Sequence, residues 1–311
     1  MNSFQYSSDN KHYHTFNYDL RKRYGDKTVR VSLNTGLSCP NRDGTCGIGG
    51  CSFCNAIGSG DFGGLINDDL ETQYIKGKAQ AYHKWPQAKI IAYFQSYSNT
   101  YAPLDKLKTL FEPFIQKDEV IALAIATRAD CLSLEIIEYL DSLSKIKDIY
   151  LELGLQSIHD ETAKHMNRGH DYALFKEVYT QLQSTNLKVI IHIINGYPSE
   201  TKEMMIETVK EIAKLHPYGI KIHMLNVLKD TRLATQYDTQ NFELMSQDDY
   251  EDLVIQQLRL LPSDIVIVRL TGDGDSNELI APLWITNKVS ILNHIDQKMA
   301  KDNLYQGDQS I

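Results

Sequence analysis

Short apolar runs rich in β-branched residues recur along the chain, over residues 29–33, 90–95, 120–127, 149–153, 188–194, 219–225 and 265–270. Each has the length of a strand and reads as continuous rather than alternating, which predicts strands covered on both faces. Most of the segments between them carry helical spacing instead. Leu104, Leu107, Leu110, Phe111 and Phe114 fall on one helical face, as do Leu134, Ile136, Ile137 and Leu140, and again Met205, Val209, Ile212 and Leu215. Strands alternating with helices predict a parallel sheet joined by right-handed crossovers. Six or seven such units suggest a full or partial α/β barrel rather than a small open sheet.

No linker rich in Pro, Gly or Ser interrupts the pattern, and no repeat is visible. The pattern divides into a basic N-terminal arm over residues 1–28, a β/α barrel over 29–270 and a C-terminal extension over 271–311. From Asn287 that extension reads as one helix followed by a frayed polar end. In a parallel barrel the chemistry sits on the loops that follow the strands. Polar, Gly-containing segments lie at those places: residues 34–64, which hold a cysteine cluster, then Gln95-Ser-Tyr-Ser-Asn-Thr-Tyr101, Thr127-Arg-Ala-Asp130, Gly154-Leu-Gln-Ser157 and Asn195-Gly-Tyr-Pro198. Their common placement points to one site at one rim.

A chain of 311 residues with 42% hydrophobic content is large enough for one such core. No apolar run approaches the roughly 20 residues of a membrane helix. The polar start from Met1 to Asn10 lacks the apolar stretch of a signal peptide. The expectation is a cytoplasmic protein with no membrane partner. A net charge of −8 argues against a large nucleic-acid surface, because phosphate binding needs clustered Lys and Arg. The charge is uneven, however. Lys11, Arg21, Lys22, Arg23, Lys27 and Arg30 form a basic stretch, read first as a solvated face and second as an RNA-phosphate contact.

Five cysteines are few for this length, and four fall within sixteen residues, which in a reducing compartment points to metal or redox chemistry. The loop reads Cys39-Pro-Asn-Arg-Asp-Gly-Thr-Cys46-Gly-Ile-Gly-Gly-Cys51-Ser-Phe-Cys54. Three readings fit it: a structural zinc site on all four thiols, a plant-type [2Fe–2S] centre completed by Cys131, or a [4Fe–4S] cluster with three protein ligands and one open iron. Only Cys51 and Cys54 form the short knuckle that zinc ribbons use in pairs. Phe53, just before the last cysteine, suits packing against a bound adenine.

Further motifs follow: Ser32-Leu-Asn34, Gln95-Ser-Tyr-Ser-Asn-Thr-Tyr-Ala-Pro103, Leu151-Glu-Leu-Gly-Leu-Gln-Ser157, Asn167-Arg-Gly-His170, His192-Ile-Ile-Asn-Gly-Tyr-Pro198 and Arg269-Leu-Thr-Gly-Asp273. With these in this order, the sequence resembles the radical S-adenosylmethionine (SAM) enzymes, and within them the YhcC/YtqA-type group, from about Tyr18 to about Lys288. The Cys-x11-Cys-x2-Cys spacing is similar to the expanded loop of that group and of the Elongator catalytic subunit, which modifies tRNA wobble uridines.

The resemblance implies a partial (β/α)6 TIM-like barrel. It also implies that Cys39, Cys51 and Cys54 ligate a [4Fe–4S] cluster whose open iron chelates the amino and carboxylate groups of S-adenosyl-L-methionine. By position, Gln95, Ser96 and Tyr97 would face the methionine amino group, where the family's usual Gly-Gly-Glu is replaced. Glu152, Gln156 and Ser157 would lie near the ribose or carboxylate, Arg168 near the carboxylate, and Gly196 would let the fifth strand approach the adenine. Cys46 is an extra thiol.

The implied chemistry is one-electron cleavage of SAM, with flavodoxin or ferredoxin as donor, to a 5′-deoxyadenosyl radical that abstracts hydrogen. The substrate implied is tRNA wobble uridine, with 5-carboxymethylaminomethyl converted to 5-aminomethyl by abstraction from the glycine-derived methylene, oxidation and hydrolysis. A radical SAM enzyme on a small metabolite or peptide, and a non-catalytic zinc-binding module, are the alternatives.

Among the other polar candidates, His192 and His223 suit either substrate contact or a hydrogen-bonded core. Arg128 and Asp130 suit a structural pair, and Cys131 a small buried hydrophobe. Tyr97, Tyr101 and Tyr197 suit stacking or plain packing. Asp273 and Asp275 suit substrate binding or a turn.

Overall fold

The computed structural model describes residues 4–55, 64–240, 242–272 and 276–310. Its strands are β1 (Thr28–Asn34), β2 (Lys89–Gln95), β3 (Val120–Arg128), β4 (Asp148–Gln156), β5 (Lys188–Asn195), β6 (Gly219–Met224), β7 (Val227–Leu228), β8 (Val266–Arg269) and β9 (Leu279–Ala281). Its helices are α1 (Phe16–Tyr24), α2 (Leu70–Lys84), α3 (Leu104–Ile115), α4 (Leu134–Ser144), α5 (Asp160–His165), α6 (Tyr172–Leu182), α7 (Lys202–Leu215), α8 (Arg232–Gln240), α9 (Gln247–Leu260) and α10 (Lys288–Lys301). Side-chain oxygens mark many helix starts: Thr15, Asp69, Ser133, Asp171, Thr201 and Ser246 each accept a first-turn N–H.

Seven strands form one parallel sheet in the order β1-β2-β3-β4-β5-β6-β8, and β7 pairs with β9 in a small antiparallel ribbon. The sheet is strongly curled. Arg30 on β1 reaches to 3.2 Å from Glu152 on β4, although three strand spacings in a flat sheet would hold those backbones about 14 Å apart. The convex face packs Leu33, Ile90, Phe94, Leu123, Leu151, Ile191 and Ile222 against Leu107, Phe111, Leu140, Phe175, Val209 and Val254 of the outer helices.

The segment before β1 is no free arm. Helix α1 lies at the base of the concave face, and its Phe16 and Leu20 are buried with Ile91, Ala122, Tyr150, Ile190 and Val266. Just ahead of it, the His14 carbonyl accepts from the Ile267 N–H at 2.7 Å, so the chain also covers the exposed edge of β8.

The basic stretch is thereby dispersed. Arg23 pairs with Asp19 and Asp148, Lys11 with Asp296, Lys27 lies over the Trp85 ring, and Arg30 points into the barrel. The part around α1 sits where the strands begin, at the opposite end of the barrel from the cysteine loop.

The expected fraying of the C-terminal end is likewise corrected. Gln306 is buried, donates to the carbonyls of Pro262 and Ile265, and accepts from the His14 N–H. The Gln309 N–H donates to the Arg259 carbonyl. These hydrogen bonds pin the tail across the base.

Candidate active site

Within the buried sheet, the runs that looked continuous in sequence place polar residues on the concave face, above an apolar base of Ile91, Ala122, Ala124, Ile190 and Val266. Arg30 and Ser32 on β1, Tyr93 and Gln95 on β2, Glu152 on β4, His192 on β5, Lys221 and His223 on β6 and Arg269 on β8 all line one cavity of about 390 Å³. Period two is the strand repeat, so these side chains share a face.

Glu152 is the hub of the cavity floor. Its carboxylate is fully buried and accepts from the Lys221 ammonium. Tyr93 Oη donates to Oε2 at 2.6 Å, and His192 Nε2 lies 3.3 Å from the same atom. Arg30 Nη1 is 3.2 Å from Oε1, and its guanidinium sits between the rings of Phe16 and Tyr93, 5.0 Å from each centroid.

Burial pushes Lys221 down to about 7, which Glu152 offsets only in part. Burial and the neighbouring Lys221 push His192 down to about 4, and burial beside His192 holds His223 well below its ordinary value. Burial alone would favour a neutral Glu152, but Lys221 and Arg30 outweigh it and hold the carboxyl well below the usual range.

The rim is built by the cysteine loop and the strand ends. Asn41 is completely buried, and its amide donates to the Asn167 carbonyl at 2.5 Å and to Cys51 Sγ at 3.5 Å. Asn167 returns a bond to the Gly50 carbonyl at 2.7 Å. Gly47 is required here, because a Cβ would stand 2.1 Å from Asn41 Oδ1. Arg168 donates to the Gly154 carbonyl at 2.6 Å and points Nη1 at Cys51 Sγ, 3.7 Å away.

After β2, Ser96 and Tyr97 both adopt left-handed backbone, with φ of 77° and 53°. Asn99 holds that turn by donating to the carbonyls of Phe94, Ser96 and Ala126. Tyr97 lies under the Arg42 guanidinium at 5.1 Å.

Cys39, Cys51 and Cys54 line the cavity, none of them in a disulfide, together with Phe53, Gln95, Ser96, Tyr97, Glu152, Gln156 and Arg168. The family model of the Radical SAM superfamily matches residues 20–212, and that of the Radical_SAM C-terminal domain matches residues 217–301. The chain belongs to the radical SAM superfamily.

It is 44% identical over 306 residues to the uncharacterized protein YtqA of Bacillus subtilis, covering 98% of this chain and 95% of that one. It is 31% identical over 290 residues to the protein YhcC of Escherichia coli, covering 91% and 90%. The solved structure of Elp3 from the archaeon Methanocaldococcus infernus shares its fold, with a TM-score of 0.67 and 17% identity over 90% of this chain and 65% of that one. The sheet is accordingly the curled, partly closed TIM-like barrel of radical SAM enzymes, and the chain is an enzyme rather than a passive zinc module.

The family implies a [4Fe–4S] cluster and SAM; Cys39, Cys51 and Cys54 all line the cavity that would receive them, while among the described residues no three His, Cys, Asp or Glu side chains stand close enough together to hold a single metal ion. Three thiols open onto the chamber, while Cys46, the fourth of the loop, is exposed, does not line it, and lies 3.7 Å from Asp130. Buried polar atoms without hydrogen-bond partners face the same region: Ser96 Oγ, Arg128 Nη1 and Arg168 Nε.

Two of the predicted residues stand apart from the cavity lining. Ser157 is buried against Glu200, which accepts from its hydroxyl, and Gly196, with φ of 89°, lies behind Met224. Glu152 lies below the rim, committed to Lys221 and Arg30.

Arg128 and Asp130 do form a bidentate pair, with Nε to Oδ1 at 2.8 Å, and Cys131 is buried, its thiol pushed up to about 12 by burial. Tyr197 bonds Ser52 at 3.0 Å and Tyr101 bonds Thr45 at 2.7 Å. Asp273 and Asp275 lie outside the described residues. Sequence reasoning missed Arg30, Tyr93 and Lys221 as cavity residues and Asn41 as the loop's brace. The signal for the first three was present as polar side chains at alternate positions of otherwise buried strands.

Proposed function

We propose that this radical SAM enzyme modifies tRNA wobble uridine, converting a 5-carboxymethylaminomethyl side chain to 5-aminomethyl. One observation carries the reading. Three cysteine thiols open onto the mouth of a cavity that continues down to a charged floor, so a cofactor at the rim and a substrate group beneath it share one chamber.

In this reading Cys39, Cys51 and Cys54 hold the [4Fe–4S] cluster, and Phe53, Gln95, Ser96, Tyr97, Gln156 and Arg168 receive SAM. Ser157 and Gly196 act through the shape of the β4 and β5 ends. Bound there, the cluster and SAM would supply one-electron chemistry and the means to take a hydrogen atom from substrate. The protein's own part is to orient and seclude. Asn41 and Asn167 hold the cysteine loop, Asn99 holds the turn at Ser96 and Tyr97, and the barrel wall surrounds the floor.

The wobble-uridine part is supported by the resemblance of the cysteine spacing to the Elongator catalytic subunit. A flavodoxin or ferredoxin as reductant is supported by the exposure of Cys46 and Ile48 on the cysteine loop. Five cysteines outside any disulfide support a reducing, cytoplasmic setting. Among the described residues no helix is long and apolar enough to cross a membrane.

Two measurements test the proposal. Anaerobic reconstitution should give about four irons per chain and 5′-deoxyadenosine on reduction with SAM, with Ser replacements at Cys39, Cys51 or Cys54 losing iron and a Cys46→Ser variant keeping it. Mass spectrometry of tRNA nucleosides should show 5-carboxymethylaminomethyluridines accumulating in a deletion strain at the expense of the 5-aminomethyl form. An unchanged nucleoside profile rejects the substrate.

A further inference from the structure

Asn226 lies two residues past the end of β6, and Gly272 three past the end of β8. Both line the chamber at the level of its loops, above the charged floor. The residues that would receive SAM come from elsewhere on the rim: the cysteine loop, the ends of β2 and β4, and the segment after α5. They leave the arc after β6 and β8 to another ligand.

The Asn226 amide is not used by the fold. Its Oδ1 is shielded from solvent and, among the described residues, accepts no hydrogen bond. A buried polar atom is costly unless it is paired, so an unpaired acceptor facing a chamber points to a donor on a bound molecule. Gly272 lies so close that a Cβ there would stand 3.1 Å from Asn226 Nδ2 and 3.2 Å from Ile285 Cδ1. A residue without a side chain thus makes room for the amide. Beside it the lining is apolar, made by Ile194, Met224, Leu225 and Leu228.

A carboxamide presents an acceptor with N–H donors alongside it. Its complement is a ring edge that carries an N–H next to a carbonyl, and an apolar wall with one polar group suits a flat ring. We propose that Asn226 reads the imide edge of a uracil, with Oδ1 accepting from the ring N3–H and Nδ2 donating to a neighbouring ring carbonyl. Enzymes that act on a base within a nucleic acid take it out of the stack and read its pairing edge in this way. A ring held at this arc leaves the chamber below open to its 5-substituent. Identifying the uracil as the tRNA wobble base rests on the function proposed above; the imide-reading amide rests on the arc alone.

The test is equilibrium binding to the reconstituted enzyme. One pair of probes is an anticodon stem-loop carrying 5-carboxymethylaminomethyluridine and the same stem-loop methylated at N3 of that base. A second pair is free uridine and 3-methyluridine. SAM is measured in parallel, because its adenine also presents a donor beside an acceptor. The proteins are wild type, Asn226→Ala and Gly272→Ala, each checked for an unchanged melting temperature. Gly272→Ala crowds the amide without removing it, and serves alone should Asn226→Ala fail to fold.

Wild type is expected to bind the N3–H stem-loop about tenfold or more tightly than the methylated one. Asn226→Ala should erase that preference while SAM affinity stays within about twofold, and Gly272→Ala should weaken it. Equal affinity for the two stem-loops in wild type, or a preference that survives in Asn226→Ala, overturns the subsite and leaves the tRNA reading standing. A loss of SAM affinity in Asn226→Ala as large as the loss for the stem-loop assigns the amide to the cofactor and also overturns it. Uridine bound over 3-methyluridine through Asn226, with neither stem-loop bound, upholds the subsite and removes the tRNA reading. Binding of no stem-loop and no nucleoside removes both.

Discussion

At Glu152 a charge is buried completely, and its stability depends on the neighbours that meet it. Removing one partner of such a buried charge network costs about 3–5 kcal/mol. Lys221→Met should therefore lower the unfolding free energy in urea by that amount, and Glu152→Gln added to it should recover most of the loss. A double variant no better than the single one would mean that Lys221 matters for packing alone.

The two floor histidines set a pH dependence. An unfolded histidine takes up its proton near pH 6.5, whereas folded His192 stays neutral to about 4 and His223 is also shifted down. Below pH 6.5 the unfolded chain thus binds more protons, and stability falls by about 1.4 kcal/mol per pH unit for each such group. Lys221 acts in a higher window. Its folded value of about 7 lies below the usual 10.5, so stability rises as pH rises between them. Urea unfolding at pH 7.5 and pH 5 should show the acid loss, and His192→Gln should reduce it. An identical loss in that variant counts against the assignment.

Among the elements, the cysteine loop owes its shape to a side chain rather than to secondary structure. Asn41 ties the loop to Asn167 and to Cys51, and loss of buried bonds of this kind costs about 1–3 kcal/mol. Asn41→Ala should therefore retain less iron per chain after reconstitution and gel filtration, while circular dichroism stays unchanged. Full iron retention would show that the thiols need no brace.

The turn after β2 is a second local device. Two successive non-glycine residues in left-handed backbone, Ser96 and Tyr97, carry strain of about 1–3 kcal/mol each, held by the three carbonyl bonds of Asn99. Nothing in the residue types Ser and Tyr announces that conformation, which is why it was illegible in sequence. The strands themselves were legible to within a few residues, because seven apolar runs in a chain of this length have few other places to go.

In the molecule as a whole, the ends of the chain close the base of the barrel. Phe16 and Leu20 fill the bottom of the concave face, and Gln306 bonds the loop before β8 and the segment before α1. Phe16→Ala should cost about 3–5 kcal/mol, and deletion of residues 1–24 should lower the melting temperature of the entire barrel rather than leave it unchanged, as loss of a free arm would. A melting curve of the truncated chain decides between the two. The same placement moves the basic stretch away from the mouth. Replacing Arg21 and Lys22, at the base, should accordingly alter tRNA affinity less than replacing Arg42, at the rim, and salt-dependent binding curves measure that difference.

The sequence alone determined the class of sheet, the order of its units, the rim on which the loops gather and the thiols that could hold a cluster. These follow from local period, residue type and spacing, which a linear chain carries on its face. Only the tertiary structure decided which polar residues meet. Arg30, Tyr93, Glu152, His192 and Lys221 come from five different strands, and they become neighbours because the sheet curls until its concave side chains converge. The curl depends on long-range packing of helices outside and α1 beneath, so no local stretch of sequence contains it.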